Sequence, residues 1–165
     1  MPIDAPFDRY RGSVEPAWID YNGHMNVAYY LLAFDRATDL FFDFIGLDAA
    51  QRAESNGTTF AAEIHLQYHR EMMEAAPLKI TTQLLAYDSK RLRFFHRMYH
   101  EDEGYLAATA ESLSLYIDLK VRRVGRLPAP VAARLAAVLE AHKGLGLPAE
   151  TGRAIAVPAI EATRS

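Results

Sequence analysis

The sequence predicts an α+β domain in which a curved antiparallel sheet wraps around one long central helix. Three observations lead there. The stretch from Ala28 to Leu47 is apolar around most of a helical turn. From Thr58 the hydrophobic period switches to two, and four such stretches follow one another with only short polar links. The chain, at 165 residues, has material for one hydrophobic core rather than two. We therefore read 1–165 as a single domain, with its core at about 9–120 and a C-terminal helix and tail over 121–165.

Taken in order, Arg11 to Ile19 reads as a strand broken by Pro16. The long helix follows the polar stretch "WIDYNGHMN". Asn26 is its expected N-cap, and Gly46 stands where a helix end favours positive φ. Asp35, Arg36, Asp39 and Asp43 form its polar stripe; a helix otherwise so apolar needs a sheet around it. Asp48 and Gln51 resemble a capping box that opens a short helix ending before Gly57.

In "TFAAEIHLQYHRE", Phe60, Ala62, Ile64, Leu66 and Tyr68 alternate with polar residues, which predicts one buried face. "LKITTQLLAYD" repeats this with Leu78, Ile80, Leu84 and Ala86, and "RLRFFHRMYHE" and "YLAATAESLSLYIDL" complete the run. Links such as "DSK" and "EDEG" have hairpin length, so the strands pair antiparallel. A helix is expected from Pro130 to Lys143, closed by Gly144, and the tail after Pro148 shows little pattern.

Composition narrows the function. The absence of cysteine excludes disulfides, thiolate metal sites and a cysteine nucleophile. A net charge of -3 gives no overall basic surplus for nucleic acid. The first residues lack the basic end and apolar run of a secretory signal, and no stretch is long enough to span a bilayer, so a cytoplasmic protein with no membrane partner is expected. His65 with His69, and His96 with His100, are spaced by four; on strands that separates them by about 13 Å, so no metal is expected.

The chemistry concentrates before the long helix. The first N–H groups of a helix are unpaired and sit at its positive end, so they suit an anionic or polarised oxygen. Asp20 reads as a turn or cap residue of "DYNG" or as a working carboxylate, the residues alone favouring the turn. Asn26 reads as a cap or a site residue; His24 as a group that orients Asp20 or bonds the turn backbone; Gly23 as a supplier of a backbone shape.

The stretch "DYNGHMNVAYY", with Asp20, Gly23, His24, Asn26, Tyr29 and Tyr30, followed by this helix and strand order, resembles the hotdog-fold acyl-CoA thioesterases of the 4-hydroxybenzoyl-CoA thioesterase type. "KRLRFFH" and "GRAIAVP" are similar to the branch linked to carnitine breakdown, whose substrate is betainyl-CoA. The resemblance implies that Asp20 is catalytic, that the Val27 N–H holds the developing oxyanion, and that Asn26 and His24 belong to the same catalytic group. It implies substrate contacts from Trp18, Tyr21, Gly23, Tyr29 and Tyr30, the aromatics forming a cage if the acyl group carries a trimethylammonium.

Edge-paired subunits are also implied, as a homodimer or a tetramer of two dimers, with Glu63 and His65 on the strand running to Tyr68 completing the neighbour's site. The basic run Lys90, Arg91 and Arg93, with Arg97 and Arg70, reads as an ordinary solvated strand face or as a patch that meets the phosphates of CoA, which enters as part of the substrate; no further cofactor is expected. Three alternatives stay open. A hotdog enoyl-CoA hydratase is disfavoured because "DYNGH" lacks the proline of that motif and brings His one residue too close. A non-catalytic acyl-CoA-binding protein is the second. The third is a thioesterase that takes its carboxylate from the helix, as Asp35 or Asp39.

Overall fold

The structure, a computed structural model, describes residues 3–156. β1 (Phe7–Ser13) leads through a 3-10 turn at Pro16–Trp18 into α1 (Val27–Ile45) and α2 (Ala49–Ser55). Then come β2 (Gly57–Tyr68), β3 (Pro77–Tyr87), β4 (Arg91–His100), β5 (Leu106–Asp118), the short β6 (Arg123–Val124) and α3 (Ala129–His142). The sheet runs β1-β3-β4-β5-β2 with every pair antiparallel, and β6 adds to β5. β2 is therefore a terminal strand, and among the described residues nothing pairs with its outer edge.

α1 forms where expected because both its ends are specified locally. Asn26 is extended at φ -65° and ψ 144° and caps the helix, and Gly46 ends it at φ 89°. Tyr30, Phe34, Ala37 and Phe41 press into the concave face of the sheet. In the centre of that contact His96 is fully buried. The Thr38 hydroxyl donates to the Phe34 carbonyl and takes the His96 Nε2–H at 2.9 Å, while Thr82 Oγ1 lies 2.9 Å from Nδ1. Burial holds the imidazole neutral, with its pKa lowered to about 3.

Several expectations need correcting. The first strand lies at Phe7–Ser13, not Arg11–Ile19, and Pro16 starts a turn rather than breaking a strand. β2 is bulged, with Ala62 the extra residue between the pairs Ala61–Ser114 and Glu63–Leu113. The bulge turns Phe60 onto the outer face while Ile64 stays inward, so the two do not share a buried side. A second bulge after Leu84 moves Ala86 off the inner face. α3 passes directly into a 3-10 turn at Lys143–Leu145, so Gly144 does not close it.

The chain beyond α3 crosses the outer face of the sheet. Gln83 Nε2 donates to the Gly146 carbonyl, Gln67 Nε2 to the Glu150 carbonyl, and the Gly152 N–H to Glu111 at 2.6 Å. Polar residues of the outward positions thus hold a strap rather than facing water. No helix among the described residues is long and apolar enough to cross a membrane.

Candidate active site at the start of the central helix

Ile19 and Met25 pair across a tight loop, with the Asp20 N–H donating to the His24 carbonyl at 3.1 Å and the Gly23 N–H to the Asp20 carbonyl at 3.0 Å. Gly23 takes φ 80°, and a Cβ there would meet nothing within 4 Å. Glycine is required here by backbone conformation, not by space. The turn directs the Asp20 side chain back toward the helix. One carboxylate oxygen accepts the Asn22 N–H at 2.8 Å; the other accepts Asn26 Nδ2 at 3.4 Å.

Asn26 is the hinge of the arrangement. Its Oδ1 caps the helix by accepting the Ala28 N–H at 3.0 Å, while its Nδ2 points to Asp20. The Val27 N–H, first of the helix, has no hydrogen-bond partner among the described residues. A carboxylate and a free backbone donor at the positive end of a 19-residue helix thus stand side by side, joined by one amide. Such a pair can attack, or activate water against, a carbonyl whose oxygen the N–H holds.

His24 bonds the local backbone instead of the carboxylate. Its Nδ1 is 3.3 Å from the Met25 carbonyl, and its Nε2 is 3.8 Å from Glu71. Tyr30 lies beneath the loop and accepts the Met72 N–H on its hydroxyl. Tyr68, at the end of β2, donates to the Val27 carbonyl at 3.1 Å and meets Tyr30 edge-to-face at 5.2 Å. Burial pushes the Tyr68 phenol pKa up, which keeps it a donor. The sequence marks only the strand that ends at Tyr68; the packing of that strand end against α1 brings the Tyr68 hydroxyl to the site.

The remaining expected residues divide by location. Trp18 is 3% exposed, stacked on Tyr29 at 5.5 Å with the Arg36 guanidinium 5.2 Å from its ring, so it has no open face for substrate. Tyr21, at 97% exposure, stands out from the tip of the loop and lines nothing within this chain. Glu63 and His65 lie on the outer face of the sheet, beside a cavity of about 370 Å³ shared with Arg93, Glu111 and Arg153. Arg93 is ion-paired to Glu111 at 2.5 Å. Lys90 and Arg91 sit in the β3–β4 hairpin, where Arg91 pairs with Asp88 at 2.8 Å and the Lys90 carbonyl accepts from Tyr116. Tyr116 packs with the last turns of α1, so within one chain this basic pair and Asp20 occupy opposite ends of the helix. Among the described residues no three His, Asp or Glu side chains assemble into a metal-binding group.

A helix held in a curled antiparallel sheet, with a carboxylate loop at its start, defines a hotdog-fold enzyme. Residues 14–135 match the family model of the thioesterase-like superfamily, and the chain belongs to that family. It is a thioester hydrolase. Over 151 residues it is 39% identical to the betainyl-CoA thioesterase of Pseudomonas aeruginosa, covering 92% of this chain and 95% of that protein. It is 40% identical over 142 residues to the L-carnitine dehydrogenase/betainyl-CoA thioesterase of Ruegeria pomeroyi, covering 86% of this chain but 28% of that longer protein. Among solved structures, a Staphylococcus aureus protein in complex with CoA superposes with a TM-score of 0.85 at 26% identity, over 94% of this chain and 99% of that one. A Pseudomonas putida protein superposes with a TM-score of 0.81 at 33% identity, over 96% and 99%.

Proposed function

We propose that the protein hydrolyses betainyl-CoA to glycine betaine and free CoA, with Asp20 as the working carboxylate and the Val27 N–H as the oxyanion donor. The observation that carries the site assignment is the Asp20–Asn26–Ala28 chain of hydrogen bonds, which fixes a carboxylate beside an unpartnered helix N–H. The choice of acyl group is supported by the names of the relatives from Pseudomonas aeruginosa and Ruegeria pomeroyi.

In this reading the thioester carbonyl oxygen approaches the Val27 N–H. Asp20 then either adds to the carbonyl carbon, expelling CoA thiolate and leaving a mixed anhydride that water cleaves, or takes a proton from the water that adds. Both routes consume one water and use no cofactor beyond the CoA of the substrate. A single turnover in 18O-water detects one form of the anhydride route: label in the Asp20 carboxylate requires water to have opened an anhydride at the Asp20 carbonyl, whereas water that adds at the acyl carbon, by either route, labels only the product acid. The same reading places the protein in the cytoplasm, with its acyl-CoA substrate.

The site also invites a second copy of the chain. The outer edge of β2 has no partner among the described residues, and Ile64, Tyr68 and Leu31 expose apolar surface beside it. We propose edge-to-edge pairing of β2 in a dimer or a tetramer of two dimers; a purely monomeric species in light scattering contradicts this. The function is tested by following free-thiol release from betainyl-, 4-hydroxybenzoyl- and medium-chain acyl-CoAs. Betainyl-CoA is expected to give the highest kcat/KM, and a preference for either of the others refutes the acyl assignment.

A further inference from the structure

We propose that Tyr68 is a positioning residue of the hydrolysis: its hydroxyl, acting through the Val27–Ala28 peptide and the Asn26 side chain, holds the Asp20 carboxylate beside the oxyanion donor. This rests on the reading above in which Asp20 is the working carboxylate. The groups follow one another without a gap. The Tyr68 hydroxyl donates to the Val27 carbonyl at 3.1 Å. The same peptide unit ends in the Ala28 N–H, which donates to Asn26 Oδ1 at 3.0 Å. Asn26 Nδ2 donates in turn to one Asp20 oxygen at 3.4 Å, and the other oxygen accepts the Asn22 N–H at 2.8 Å. The series fixes the orientation of the Asn26 amide. Only its oxygen can take the Ala28 N–H, which leaves its NH2 for Asp20.

The direction of the series gives it an effect on Asp20. A hydrogen bond to a peptide carbonyl draws charge through the amide, and the N–H of that amide becomes a stronger donor; bonds in such chains reinforce one another by about 10–30% each. The Tyr68 bond therefore tightens the Ala28 cap, and the cap holds the plane of the Asn26 amide. The longest contact, at 3.4 Å to Asp20, is the one that a small turn of that plane would break. The Val27 carbonyl has room for the added donor. It is the first of the helix, its regular partner is the N–H four residues on, and a carbonyl has two lone pairs.

Tyr68 is itself held in place. Its ring meets Tyr30 edge-to-face at 5.2 Å, and Tyr30 is buried with its hydroxyl accepting the Met72 N–H at 3.1 Å. The Met72 carbonyl accepts the Met25 N–H at 2.8 Å, so the segment that follows β2 grips the Asp20 loop from its other side. The end of β2 thus ties the loop to the helix start. A phenylalanine at position 68 would keep the ring contact with Tyr30 and lose only the bond to Val27. That bond adds little to stability, because Tyr68 is half-exposed and water can replace it on the carbonyl. A water molecule does not supply the fixed direction that a ring anchored on Tyr30 gives.

The test measures kcat and KM of Tyr68→Phe, alone and combined with Asn26→Ala, on every thioester of the panel above that the wild-type enzyme hydrolyses. Tyr68→Phe is expected to lower kcat about fivefold on each of them, with KM within about twofold and little change in melting temperature. Combined with Asn26→Ala it should lower kcat no further than Asn26→Ala alone, because the path to Asp20 is already cut. An unchanged kcat in Tyr68→Phe, a rise in KM alone, losses that differ between acyl groups, or a full second loss on top of Asn26→Ala each overturns the role of Tyr68 and leaves Asp20 as the working carboxylate. Asp20→Asn is assayed beside them. Near-normal turnover by that variant overturns the Asp20 reading and the role of Tyr68 together.

Discussion

At its first turn α1 leaves the Val27 N–H without a partner among the described residues, beside a carboxylate tied to the helix cap. At its last turn the same helix is closed: the Gly46 N–H donates to the carbonyls of Asp43 and Phe42, the Leu47 N–H to Phe42 at 2.8 Å, and Leu47 is buried among Phe41, Ile45 and Val131. The cavity near that closed end, about 580 Å³, is lined by the uncapped first turn of α3 and by Arg134, whose guanidinium lies over the Phe44 ring, but among the described residues no carboxylate is hydrogen-bonded to that turn. The difference teaches that an unsatisfied backbone donor next to a fixed carboxylate marks the reactive end better than cavity volume does.

The strongest way to break this comparison is to remove the carboxylate. Asp20→Asn keeps the size and the turn but not the charge, and should lower kcat by about 10³-fold or more with little change in melting temperature. Near-normal turnover by this variant, with Asp35→Asn or Asp39→Asn inactive, moves the chemistry onto the helix face and refutes our assignment.

The middle of the helix supplies a smaller, pH-dependent effect. His96 has a folded-state pKa of about 3 against about 6.5 when unfolded. Below pH 6.5 the unfolded chain takes up a proton that the folded chain refuses, so stability falls as pH drops from about 6.5 toward 3, by up to about 1.4 kcal/mol per unit. Urea unfolding of wild type and His96→Gln at several pH values checks this. The variant should be less stable at pH 7 but show the shallower acid slope; parallel slopes would contradict it.

Smallest, and most discriminating between the two ends, is a pair of cap substitutions. Gly46→Ala forces a side chain onto φ 89° and should cost about 1 kcal/mol, with kcat untouched. Asn26→Ala removes a cap of similar worth, about 1 kcal/mol, but should also lower kcat about tenfold because Asp20 loses its tether. Thermal melts and kcat for both variants form the test; a loss of kcat in Gly46→Ala would erase the asymmetry.

Much of this was legible in the sequence because it is local. Caps such as Asn26, Asp48 and Gly46 act within a few residues, and Asp48 indeed accepts the Gln51 N–H at 2.8 Å. The central helix and the four strands announce themselves by period. What was not legible depends on which segment lies opposite another. The bulges at Ala62 and after Leu84 are properties of strand pairs. Trp18 looked like a cage wall until Arg36, from the helix, and Tyr29 covered it. Arg91 and Arg93 looked like a free basic patch, yet Asp88 and Glu111 already pair with them. Asn26 carries two roles at once, and only the return of the chain at Gly23 reveals the second.

The central claim is that Asp20 and the Val27 N–H converge on one carbonyl, and a crystal structure of Asp20→Asn with a betainyl thioester tests it most directly. The account predicts the carbonyl oxygen about 3 Å from the Val27 nitrogen, with residue 20 facing the carbonyl carbon. A thioester whose carbonyl lies against another donor, with residue 20 turned away from it, would contradict it.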